Sequence, residues 1–548
     1  MTRSRKHKRP PKPLPDTLAR VGSVRSGQEA AAELRPALDK QVLLGYLFLA
    51  AGLIFLIVGY LTYRLVEMGY FFNSDELFPA ALYKDLIHRG GSLNDWNLPP
   101  HPDFFPEWPL YFVTNALAPN PFWAVLAFFV AQIVLTFFAL GWLNRLFLDR
   151  GKAFLFAGMS LSSLCYLCME STTSWSPFKC LAVPVQHLGA FVAGLVVLRL
   201  AVMAILWPET RVKKAYLFLI FILSSLVSLS DAIFVVQFCA PLVIASIYLW
   251  AKCVVPWRKA LSVATSTVAG MACGLVLHGH LGLNMRWYPN HIDIRVLSRN
   301  ALDIESLFLN LWHTHPSWLA LCALVWATLF CMWAFVDKLE EFQRPLSGSA
   351  KFLTAFCLAS CGMVLASNLM VDVSVAVRYF IPVFFFPVFF APYVTLAIRH
   401  SRLRTTVILV CMAGVCAAAI HFLASNPQPL AFHGDYYPEE IQCMDAAFQK
   451  YGLDNGVAGY WDAKRIAVLA KTKVNIAQVT YDLDNYGWFN TKRTFRHSYD
   501  FAVIDLAAPP VDTLNEARIK AINGQPRDTV LCAQKKILLY PKNGLRLH

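Results

Sequence analysis

Charge is scarce in this chain. Only 15% of its 548 residues are Asp, Glu, Lys or Arg, well below the roughly 25% of a soluble globular protein. That shortage excludes a water-soluble surface for a chain of this size. Short enzyme motifs are missing as well. There is no GxxxxGK[ST] phosphate loop, no HExxH helix and no internal repeat, so ATP-driven transport by this chain alone has no support. The one CxxC, Cys165-Tyr166-Leu167-Cys168, lies inside an apolar run without a second pair, which makes packing its ordinary role. His278-Gly279-His280 is too short to be a metal motif by itself.

What the chain has instead is hydrocarbon. It is 57% hydrophobic, with a mean hydropathy of +0.46, and apolar runs near the roughly 20-residue spanning length recur from Val42 to Leu423. The fold class expected is mostly α: a polytopic helical membrane protein with about eleven spans and a small C-terminal extracytoplasmic α/β domain. The spans are expected near 42–62, 122–144, 153–170, 181–206, 215–230, 232–251, 260–279, 316–336, 352–371, 380–397 and 404–424. The net charge of +14 is no nucleic-acid footprint, because the positive residues cluster at span ends and in the first forty residues. Arg3, Arg5, Lys6, Lys8 and Arg9 share a side with Arg145, Lys213, Lys252, Arg344 and Arg402 when the spans alternate. The N-terminus is therefore expected in the cytoplasm and the C-terminus outside. The first span follows a long basic tail without a small-residue cleavage site, so it reads as a retained anchor.

Four regions follow. Residues 1–40, with Pro10, Pro11, Pro13 and Pro15, read as a disordered basic cytoplasmic tail. Residues 41–424 form the transmembrane module. They include a large first external loop at 63–120 and a second external segment near 280–315. Residues 425–548 read as a small α/β domain. It has helical spacing at Ile441–Tyr451 and Ala463–Ala470, and strand-like runs at Lys473–Thr480, Phe501–Leu506 and Lys536–Leu539. Cys443 and Cys532, the two cysteines of this tail, permit one disulfide; two unpaired core thiols are the alternative.

The first loop opens with Asn73-Ser74-Asp75-Glu76-Leu77. Carboxylates so close to hydrocarbon are costly unless they do chemistry, bind an ion or cap a helix. Asn73 or Ser74 is suited to cap a helix from about Asp75 to Arg89. Phe78, Ala81, Leu82 and Leu86 would then lay it along the membrane surface, with Asp85 an anomaly within that face. Asp75 and Glu76 as acids favoured by the helix dipole are the ordinary reading.

A single span, an acidic pair at its exit, an interfacial helix, a Pro/aromatic stretch, many further spans and an external C-terminal domain together resemble the GT-C superfamily of glycosyltransferases. Its members include protein O-mannosyltransferases and lipid A aminoarabinose transferases. The resemblance covers the layout of nearly the whole chain, and Asp75-Glu76 matches the acidic pair of the family's first loop. Nothing matches the WWDYG-type signature of oligosaccharyltransferases. The resemblance implies transfer of a sugar from a polyprenyl-phosphate donor to a glycolipid, polysaccharide or protein acceptor on the outer face, in a bacterial inner membrane. It makes Asp75 the catalytic base, with Glu76 orienting the acceptor, holding the sugar or capping the helix. A lipid-phosphate leaving group calls for a cation, and Arg378, beside Tyr379 at the outer end of the tenth expected span, is the leading candidate. Pairing with Asp372 or with lipid headgroups is its ordinary reading. Arg286 and His291 form a second cationic patch, as headgroup or sugar contacts or as an interfacial belt. Asp95, Trp96, His101, Asp103 and Trp108 are candidate sugar contacts. Asp231 either faces the same cavity or caps a helix, and Lys179 is a weaker phosphate candidate. No cofactor is firmly implied; His88, His101 and Asp103 could take a divalent cation but lack regular ligand spacing.

Two other readings stay open. An O-antigen ligase or polymerase would carry its main external loop late. A lipid or solute transporter would carry ionisable groups at mid-membrane, where this chain has almost none.

Overall fold

The computed structural model describes residues 39–64, 68–170, 176–206, 211–281, 292–334, 348–372, 375–397, 400–425 and 430–548. The expected disordered tail thus lies outside the described residues apart from Asp39 and Lys40, as do Arg286 and His291.

Among the described residues, eight helices are long and apolar enough to cross a membrane, as an integral membrane protein requires. They are Lys40–Leu61, Pro121–Asn144, Arg150–Glu170, Leu188–Leu206, Lys213–Ser230, Trp257–His280, Gly348–Met370 and Ser401–Ser425. Of the other three expected spans, two are interrupted helices and the third, Pro316–Ala334, is one helix set at a sharp angle to its predecessor. The run 232–251 starts as a widened turn at Val235–Cys239 before the helix Ala240–Ala251. Pro316–Ala334 pairs with the preceding helix Leu297–Thr314 across a sharp bend. The last, 380–397, passes from a 3-10 turn to Ile381–Phe390, with Pro387 inside, and back to a 3-10 turn. Pro392, within that last turn, removes a backbone donor and crowds the turn before it, which accounts for the α-helix ending at Phe390.

Close helix contact is bought with small residues. A Cβ on Gly158 would fall 2.2 Å from the Gly45 carbonyl oxygen, so Lys40–Leu61 and Arg150–Glu170 meet backbone to backbone. Gly270 and Gly274, one helical turn apart, admit Phe221 and Ser225 of the facing helix in the same way.

The tail folds as expected for an α/β domain. Its helices are Glu439–Tyr451, Tyr460–Leu469 and Glu516–Asn523. Strand β1 (Trp96–Asn97) belongs to the first loop; the tail supplies β2 (Asn455–Ala458), β3 (Asn475–Gln478), β4 (Asn490–Thr491), β5 (Phe501–Asp505), β6 (Asp528–Cys532) and β7 (Lys535–Leu539). The main sheet runs β3-β2-β5-β7-β6, parallel across the first three strands and antiparallel beyond. Gly452, with a left-handed φ of 62°, ends the first helix. Cys443 and Cys532 are disulfide-bonded.

The tail is not a free appendage, because Gln41–His548 form one compact unit. β1 pairs antiparallel with β4, Trp96 opposite Thr491. Phe78, Leu82, Trp96, Leu98 and Trp108 of the loop share a buried cluster with Phe489 of the tail. Lys84 Nζ donates to the Ala467 carbonyl at 2.9 Å, and the His433 N–H donates to the Leu61 carbonyl at 2.8 Å. The expected surface helix is corrected accordingly. It is a short helix, Phe78–Tyr83, followed by a widened turn at Lys84–His88, and it is sandwiched between loop and tail. Asp85 explains its own anomaly: buried, it accepts from Trp96 Nε1 at 2.9 Å and pairs with Arg493 at 3.3 Å.

The disulfide closes an 89-residue separation, for which cross-linking restricts the unfolded chain by about 2–4 kcal/mol. C443A/C532A in the full-length protein should therefore speed tail cleavage in limited proteolysis at a temperature where the wild type resists. Equal cleavage of both proteins would show that docking on the loop, not the bridge, holds the tail.

Candidate functional site

The site begins with a turn. Asn73 Oδ1 accepts the N–H groups of Asp75 at 2.9 Å and Glu76 at 3.0 Å, so Asn73 caps the turn as expected. The cap separates the two carboxylates. Glu76 turns inward, fully buried, and does not close a capping box. Its Oε1 accepts from Gln186 Nε2 at 2.7 Å and its Oε2 from the Val185 N–H at 3.3 Å. Burial pushes its carboxyl up to about 8, against the Gln186 hydrogen bond. Asp75 stays half-buried and faces open space.

That space is a pair of adjoining cavities. One, of about 240 Å³, is lined by Tyr70, Asn73, Asp75, Gln186, Arg378 and Trp461 among others. The other, of about 210 Å³, is lined by Asp75, His101, Arg378, Tyr460, Trp488 and Phe489 among others. Asp75 and Arg378 line both. Asp372 is bonded elsewhere, to Arg299 at 2.9 Å, so the ordinary partner of Arg378 is spent. The guanidinium carbon stands 5.6 Å from the Tyr379 ring centre, a cation–π arrangement.

The tail contributes the remaining wall. The Tyr460 hydroxyl donates to Asp75 Oδ1, and Ser74 Oγ donates to the Tyr460 carbonyl. Lys464, buried beneath, donates to Gln478 Oε1 at 3.0 Å and lies 4.5 Å from the Tyr460 ring centre. Burial pulls its amine down to about 7, with Asp75 acting in the opposite direction.

A second polar cluster lies beside the first. His187, at the N-terminal end of Leu188–Leu206, bonds Asp231 Oδ2 through Nδ1 at 2.7 Å. The His101 and His187 ring centres are 4.8 Å apart, and His101 Nδ1 lies 3.5 Å from Asp103 Oδ2 without hydrogen-bond geometry. Glu107 is buried against the backbone of Gly189. Burial and then Asp231 raise the Asp103 carboxyl; burial and then Asp103 raise that of Glu107. Burial would raise Asp231 too, but the charge and hydrogen bond of His187 outweigh it and leave Asp231 below its ordinary value.

The structure thus brings Asp75, Arg378, Tyr379, His101, Asp103 and Asp231 into one region. It removes others from it. Asp95 is a cap, accepting the Ser92 N–H at 3.2 Å in a reciprocal capping box. Trp96 and Trp108 are buried in the loop–tail core, and Trp461 and Trp488 take the place expected for them. Lys179 stays at the margin of the site, fully buried 5.4 Å from the ring centre of Tyr70, which lines the first cavity. His88 packs on Tyr83, and among the described residues no group of three or more His, Cys, Asp or Glu is arranged to hold a metal ion. Sequence reasoning missed Gln186, His187, Glu107, Tyr460 and Lys464; each is a polar residue in an apolar or unrelated context, with no motif around it. No protein-family model matches this chain, and no curated protein is significantly similar to it.

The Glu76 shift has a sign that can be measured. A folded-state value near 8 against 4.5 unfolded means that the folded protein holds an extra proton. The resulting stability is fully present below about pH 4.5 and is lost as pH rises through 8, by up to about 5 kcal/mol. E76Q should flatten the fall in thermal stability of the purified protein between pH 5 and 9. An unchanged slope would mean that Glu76 is ionised in the folded state throughout.

Proposed function

We propose that the protein is an integral-membrane glycosyltransferase of the GT-C kind. It would move a sugar from a polyprenyl-phosphate donor to a glycolipid, polysaccharide or protein acceptor. The observation that carries this reading is that Asp75 and Arg378, far apart in sequence, line the same two cavities. A base, a cation and aromatic walls are the three things such a transfer needs. The acceptor O–H gives its proton to Asp75, the oxygen bonds the anomeric carbon, and the bond from that carbon to phosphate breaks with its electron pair on the phosphate. Arg378 offsets the charge on the leaving phosphate. Attack opposite the leaving group inverts the anomeric centre. Trp461 and Trp488 offer faces for the sugar.

In this reading the shorter apolar helices Val235–Ala251 and Val377–Tyr393, together with Pro316–Ala334, complete eleven spans. The site then faces the outer leaflet, with the tail in the periplasm of a bacterial inner membrane.

The test compares wild type, D75N and R378A in liposomes with radiolabelled polyprenyl-phosphate sugars and membrane extract as the acceptor pool. General-base loss predicts a fall in transfer of about 10²–10⁴-fold for D75N, with R378A also strongly impaired. Transfer by D75N at the wild-type rate would remove Asp75 from the mechanism. Absence of transfer by wild type across a panel of donor sugars, with a control transferase active, would favour the transporter reading.

A further inference from the structure

Beyond the Asp75 cavities lies a third, of about 200 Å³, lined by His101, His187, Asp231, Ile233, Asn368 and Tyr379 among others. His101 lines both this cavity and its neighbour, so the two adjoin. Its volume is below the roughly 300–1,000 Å³ of drug-sized ligand sites, so it suits one small ring and not a whole lipid-linked donor. No lysine or arginine lines it among the described residues, which disfavours a phosphate. Its walls are mixed: aromatic and apolar surface from Tyr379, Ile233, Val236 and Pro100, with imidazole and carboxylate between them.

His187 is the unusual member. It is 3% exposed, its Nδ1 is bound to Asp231, and its Nε2 has no hydrogen-bond partner. An unpaired polar nitrogen so deeply buried is costly unless something else bonds it. Asp231 is itself held in place by the Ile233 N–H at 3.1 Å, so the imidazole cannot turn without breaking a buried charge-assisted contact. Asp231 engages Nδ1, so Nε2 is the nitrogen left to hydrogen-bond a ligand. The other titratable groups around it are His101, Asp103, Glu107 and Tyr379, with Arg378 beyond.

The geometry points to a subsite for an uncharged, hydroxylated sugar ring, with His187 Nε2 hydrogen-bonding a ligand hydroxyl and Asp231 acting as its positioning residue. Naming this ring as part of the acceptor rests on the transferase reading; the binding itself does not. An acceptor ring seated here would present a hydroxyl past His101 toward Asp75.

The test uses full-length protein labelled with ¹⁵N-histidine in proteoliposomes, read by solid-state NMR, with methyl glycosides of common hexoses and pentoses as probes. The His187 signals are assigned by their loss in H187Q. The Nε2 resonance should move saturably with at least one probe, and D231N should weaken that response at least tenfold. I233W narrows the cavity from its apolar wall, leaves both ionisable groups in place, and should abolish the movement while the His187 signals persist. Should H187Q fail to fold, the signal perturbed in D231N and I233W makes the assignment. No movement with any probe, or movement undiminished in I233W, overturns the subsite. Saturable binding by a protein that transfers no sugar would sink the transferase reading and leave the subsite standing.

Discussion

Everything that distinguishes this chain from a bundle of apolar helices depends on one docking event, the seating of the C-terminal domain on the first loop. Two-residue strands from each side pair, and Phe489 enters a cluster with Phe78, Trp96 and Trp108. Such short strands have little stability of their own. They persist because aromatic burial on one side and the Asp85–Arg493 pair on the other fix the register. The Asp75 cavities are bounded on one side by the helix ends and on the other by Tyr460, Trp461 and Trp488 of the tail. Neither part encloses that space alone.

Within the enclosure the electrostatics is divided by depth. Asp75 and Arg378 meet open space, whereas Glu76, Asp103 and Glu107 are buried where ionisation is disfavoured. Lys464 lies under Asp75 with its amine drawn down toward neutrality. Several neighbouring carboxyls can share a low-dielectric region only if most of them keep their protons. Asp231 is the exception, because His187 is bonded to it. The arrangement leaves one carboxylate, Asp75, open to the cavities and holds a second, Asp231, against an imidazole.

Much of the fold was legible because hydrophobic periodicity is a local signal. The long apolar runs, the tail helix ending at Gly452 and the strands at β3, β5 and β7 all lie within a few residues of where the pattern puts them. Arg378 and Asp75 stood out as charges against hydrocarbon. Partnership at long range was not legible. Asp95 and Trp96 have the composition of sugar contacts, yet their neighbours Ser92, Asp85 and β4 make them structural. β2, Asn-Gly-Val-Ala, has no run of β-branched residues, and its burial comes from strands on both sides. The interrupted helices escaped notice because a hydropathy run counts apolar residues and is blind to a widened turn.

The central claim is that the space between Asp75 and Arg378, roofed by the tail, receives a lipid-linked phosphate. An electron cryomicroscopy map of the full-length protein in nanodiscs with a polyprenyl phosphate tests it most directly. The account predicts phosphate density within hydrogen-bond distance of the Arg378 guanidinium, with the lipid chain running between the helices. Saturating lipid bound elsewhere, with that space filled only by ordered water, would contradict it.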